Sequence, residues 1–219
     1  MRYVLALAVV AGAAASAAHA DSIASFSYDD LGGTYVGGVA GGSFTAVAVD
    51  TAQLQSSGVA SRLDPIDESA VFQSGFVSGA DLADFALTLS VGAIDINGFR
   101  PGAGSFTVTD ADGDTITGLA SGNWRLLGNF LALTGSLTNV SLTGTEFNGT
   151  DNSSDDWNTD PPGDAPYDGA IVTLTFGATD FFNTSFAGRS TGINAQIVPA
   201  PGALALMGLG GLVVGRRRR

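Results

Sequence analysis

The chain has 219 residues, of which 9 are basic and 21 acidic, and its formal charge is −12 with its single His neutral. Every basic residue is Arg, Cys is absent, and 31 residues are Gly. With no thiol, no Lys amine and His19 as the only imidazole, the chain lacks Cys nucleophiles, Schiff-base amines and the Cys/His sets that hold structural zinc. Carboxylate chemistry and oxygen-ligand metals remain. Nucleic acid is excluded as a partner, because such binding needs Lys and Arg to neutralise phosphates. A helix bundle is disfavoured, since each Gly inside a helix costs about 1 kcal/mol relative to Ala.

In chain order, the first element is an address. Met1-Arg2-Tyr3 precedes an almost wholly apolar run from Val4 to Ala15, and Ala18-His19-Ala20 supplies a small-x-small site. Charge, apolar run and small residues in that order predict a signal peptide over residues 1–20, cut by signal peptidase after Ala20. The new terminus is Asp21. Residues 21–197 then form one domain that keeps all 21 acids and only Arg62, Arg100, Arg125 and Arg189, a net charge of −17.

Within this domain a period of two dominates. Phe85, Leu87, Leu89 and Val91 alternate with Asp84, Ala86, Thr88 and Ser90, as in a half-buried strand. Val172, Leu174 and Phe176 alternate likewise with Thr173 and Thr175. Further strands are expected over 22–28, 43–50, 123–127, 129–134, 137–143 and 193–197. A hairpin is expected from Ser105 to Leu119, because Asp112-Gly113 suits the positive φ angles of a tight turn. Residues 64–72 are compatible with one or two helical turns, and 148–168 read as a long polar loop. About eight to ten short strands predict an all-β fold, an antiparallel β-sandwich or jelly roll. The Thr-x-Thr pairs, such as Thr107 with Thr109, fit the outer faces of ordinary strands, and no repeat suggests a solenoid.

Two acidic clusters are candidate sites. Asp110, Asp112 and Asp114 alternate as oxygen ligands do in calcium loops, or they serve as a solvated hairpin tip. In the long loop, six Asp surround Trp157 and Tyr167. Carboxylates beside aromatic rings suit sugar binding, and an acidic solvated loop has the same composition. Calcium is therefore the only cofactor considered, and surface polysaccharide the only macromolecular ligand. Hydrolysis of a polysaccharide by two facing carboxylates is a further alternative.

The tail has three parts: Val198-Pro199-Ala200-Pro201, an uncharged stretch 202–215, and Arg216, Arg217, Arg218 and Arg219. The stretch would span about 21 Å as a helix, short of the roughly 30 Å hydrocarbon core. Arg retained on the cytoplasmic side places the domain outside. This tail resembles a PEP-CTERM sorting signal, with Val198, Pro199 and Pro201 matching the motif and Ala200 standing where the family usually has Glu. The stretch Gly104 to Gly118 is also similar to a segment found in many such proteins. The resemblance implies transit through the inner membrane, recognition by an exosortase-type protease, and delivery to the cell surface or extracellular matrix. The expectation is thus an exported, non-catalytic surface protein with no catalytic residues. The alternative is a calcium-assisted carbohydrate-binding module.

Overall fold

The computed structural model describes residues 24–62, 69–72, 84–109, 113, 115–143, 167–177 and 180–198. Among these there is no helix. Ten strands account for most of them: Ala24–Gly38 (β1), Gly41–Val47 (β2), Ser57–Arg62 (β3), Ser69–Phe72 (β4), Asp84–Val91 (β5), Arg100–Thr109 (β6), Thr115–Leu127 (β7), Phe130–Thr143 (β8), Tyr167–Gly177 (β9) and Phe186–Val198 (β10).

Every pairing is antiparallel, and from β5 to β10 each strand pairs with the next in the chain. β10 then pairs with β1, β1 with β2 and β2 with β5, so eight strands close into a barrel. The β3–β4 hairpin is attached to the first half of β1, at Ala24–Asp29, while β2 covers the second half, from Gly32 onward. The changeover falls at a bulge, where the register shifts between Tyr28 and Leu31 and Asp30 adopts φ 56°. Asp tolerates this left-handed conformation better than most residues. Ser56, only 1 % exposed, stitches the bend by donating to Asp30 O at 2.9 Å and accepting from Val49 N at 2.8 Å.

The all-β, antiparallel expectation holds. In place of a two-sheet sandwich or jelly roll, one sheet curls until its edges meet. Period-two alternation reads the same for both architectures. The decision lies in the pairing of β1 with β10, the two ends of the domain, which no local pattern encodes. Of the stretch 64–72, compatible with one or two helical turns, residues 64–68 lie outside the described residues and 69–72 form β4, because Ser69–Phe72 pair with Gly58–Ser61. Tertiary pairing overrides local preference there.

The barrel interior is a packed core rather than a lumen. At one end Phe26, Tyr28, Phe85 and Phe106 meet, with ring centroids 4.6 Å apart for Tyr28 and Phe85 and 5.7 Å for Phe26 and Phe106. At the other end Tyr35, Phe44, Trp124, Phe176 and Phe182 interlock, Phe44 and Phe176 stacking at 5.1 Å. Leu87, Leu89, Leu131, Leu133, Leu174 and Ile193 fill the interior as well. Between the buried positions, outward residues of β5 to β8 are mainly Ser, Thr, Ala and Asn. Among the described residues no helix is long and apolar enough to cross a membrane.

Candidate functional site

Antiparallel order sorts the connections to two ends. β1 begins at Ala24 and β10 ends at Val198, and Ala24 pairs with Ile197. Both terminal segments therefore leave from neighbouring strands at one end. The same end receives Thr109 and Thr115, which flank the acidic hairpin tip, and Thr143 and Tyr167, which flank the long loop. Asp110, Asp112, Asp114 and Trp157 themselves lie outside the described residues, as do Ala18, Ala20, Pro199, Pro201 and Arg216 to Arg219. Tyr167 opens β9 and pairs with Val140. Val198 closes β10 opposite Asp168. Pro199 follows directly, and its missing N–H cannot extend the ladder. Among the described residues no group of three acidic or His side chains is placed to hold a metal ion.

The opposite end carries chemistry that pattern reading left unmarked. Here the connections are short: the turn between β1 and β2, residues 92–99, the turn between β7 and β8, and the segment before β10. Residues 180–185 of that last segment fold over the barrel mouth. Phe182 is fully buried although its φ is 56°. An aromatic side chain in the left-handed region is an outlier that surrounding contacts must enforce. Those contacts are rings: Tyr35 at 4.7 Å, Trp124 at 5.0 Å and Phe176 at 5.7 Å between centroids.

The plug is fastened on both sides of Phe182. Asp180 accepts hydrogen bonds from Asn183 N at 3.3 Å and Thr184 Oγ1 at 2.7 Å. Ser185 Oγ accepts from Gly37 N at 3.0 Å and donates to Gly37 O at 3.1 Å.

Beneath the plug lies Arg100, 2 % exposed. Its Nη1 donates to Gly92 O at 3.1 Å, its Nη2 reaches Asn183 Oδ1 at 3.4 Å, and its Nε has no partner among the described residues. The Phe181 ring sits over the guanidinium at 5.5 Å. Directly across on β7 is Trp124, whose buried Nε1 also has no partner among the described residues. The fully buried Tyr35 donates its hydroxyl to Gly38 O at 3.0 Å. Burial raises its phenol above the ordinary value, the Arg100 charge and the Gly38 bond pull it back, and Asp180 pushes it up again. Among the described residues the mouth thus brings together packed rings, one buried cation and two unused N–H donors.

One sequence signal pointed here. Counting back by two from Val108 and Phe106 places Gly104, Gly102 and Arg100 on the inward face of the same strand. An inward Arg is rare without a partner.

No family model, no curated protein and no solved structure matches the chain.

Proposed function

We propose that this is an exported, non-catalytic barrel, delivered to the cell surface or extracellular matrix by a cleaved signal peptide and a PEP-CTERM-like tail. The observation that carries the reading is the tripartite C-terminus, Val198-Pro199-Ala200-Pro201, the uncharged stretch and Arg216 to Arg219, set against the Arg-led apolar N-terminus. Its partners are signal peptidase and an exosortase-type protease, with the inner membrane as a temporary station.

The barrel geometry supports this. Because Ala24 and Ile197 are paired, a chain held by its tail is held at one end of the barrel. The plugged mouth then faces away from the membrane. The first Pro of the motif comes directly after the last strand residue, so a protease acting there works close to the folded wall. A Lys-free domain of charge −17 with Ser- and Thr-rich outer faces suits a hydrated polysaccharide environment.

The test is antibody labelling of intact cells of the native host. The full-length chain should be reached from outside, and deletion of Arg216–Arg219 should cause retention in the inner membrane or loss of surface signal. Labelling only after the cells are broken open would overturn the proposal.

A further inference from the structure

The barrel mouth holds an arrangement that export does not explain. A guanidinium removed from water is costly unless paired, and even a well-paired buried charge often only breaks even. Arg100 meets no carboxylate among the described residues. One nitrogen, Nη1, is bound to the barrel's own Gly92 O. The other two, Nε and Nη2, form the side-on edge that grips a carboxylate through two parallel hydrogen bonds. On that edge Nε is empty and Nη2 has only a 3.4 Å contact to Asn183, which belongs to the plug. Removing the plug therefore frees a complete two-donor fork.

The second observation is the plug itself. Phe182 fills the ring-lined space from a backbone conformation that disfavours it, and the segment's ties to β1 are two hydrogen bonds between Ser185 and Gly37 at an exposed site. The Phe182 phenyl is thus an internal occupant of the ring-lined space, carried on a strained backbone. Trp124 supplies a further unused donor beside the same space, with its indole centroid 5.0 Å from the Phe182 ring.

We propose that the mouth is a binding site for a small aryl carboxylate, whose ring takes the position of Phe182 while its carboxylate pairs with the Nε and Nη2 edge of Arg100. A planar ring suits walls built from Tyr35, Phe44, Trp124 and Phe176. The flat two-donor edge of Arg100 matches the two oxygens of a carboxylate. Because the binding-competent open state is a minor one, the apparent affinity of the intact protein is lowered by the fraction open.

The test uses calorimetric titration of the full-length protein with benzoate, phenylacetate and, as the uncharged control, benzyl alcohol. The wild-type protein should bind the acids saturably in the millimolar range or better. Phe182→Ala, checked for a native far-ultraviolet spectrum, should bind them about tenfold or more tightly than wild type, since the occupant is gone. Within Phe182→Ala the acids should exceed benzyl alcohol by about tenfold, and adding Arg100→Met should abolish that preference while retaining ring binding. If Arg100→Met prevents folding, the acid-to-alcohol ratio in Phe182→Ala decides alone. No binding to wild type, or equal binding of acid and alcohol to folded Phe182→Ala, would overturn the proposal. Neither result depends on where the cell sends the protein.

Discussion

Gly102 faces Trp124 so closely that a Cβ on Gly102 would lie 2.8 Å from the indole Nε1, 3.0 Å from Leu133 Cδ1 and 3.2 Å from the indole Cδ1. The indole occupies the volume that a side chain on β6 would need, and it is fully buried. A side chain at this position would force the indole or the Leu133 side chain to shift.

Gly102→Ala should therefore destabilise the barrel by about 1–3 kcal/mol, the usual cost of overpacking a close-packed core. Denaturant unfolding measures it. A shift within about 0.5 kcal/mol of wild type would mean the indole can move aside, and the mouth is looser than described.

Asp84 begins β5 beside the buried Phe85, and burial raises its carboxyl above the ordinary aspartate value. The neutral form is the one the fold prefers. Its contribution is fully present below the unfolded aspartate value, about 3.9, and is lost as pH rises through the higher folded value. Asp84→Asn, which cannot ionise, should melt higher than wild type near neutral pH, and the gain should vanish at about pH 3. Melting curves at the two pH values check this; a gain that persists in acid would point to a cause other than ionisation.

Ser185 and Gly37 hold the plug to β1 through two hydrogen bonds, 3.0 and 3.1 Å, at an exposed position. Ser185→Ala should cost about 0.5–1.5 kcal/mol in total. Its sharper signature is local: the Gly37 amide should exchange faster while amides in the middle of β7 and β8 are unaffected. Uniform acceleration across the barrel would show that the plug and the wall open together.

What could be read from sequence followed the chemistry that acts locally. The alternation of Phe85, Leu87, Leu89 and Val91 gives β5 with its inner face correct at every position. The hairpin expected over Ser105 to Leu119 is the β6–β7 pair, with Thr109 opposite Thr115. Strands run longer than the apolar pattern indicates where glycines interrupt it: β1 continues through Gly32, Gly33 and Gly37 to Gly38 because β2 pairs with it along this length. Closure by Ala24 and Ile197 joins residues far apart in the chain, which no window of sequence contains.

The candidate site was less legible. Acidic clusters draw the eye by composition, and the described residues that bracket them, Thr109, Thr115, Thr143 and Tyr167, lie at the end where β1 begins and β10 ends. Arg100 and Trp124 face each other across the β6–β7 pair, whereas Phe182, far along the chain, reaches them only through the curvature of the barrel. Nothing in Asp180-Phe181-Phe182-Asn183 announces a plug, because the signal is a left-handed φ at an aromatic residue, visible only in three dimensions.

The most direct test of the central claim is the intact mass and N-terminal residue of the protein recovered from its native host. Export with processing at both ends predicts a chain that starts at Asp21 and has lost Arg216 to Arg219. A cytosolic chain that starts at Met1 and retains all four terminal Arg would contradict it.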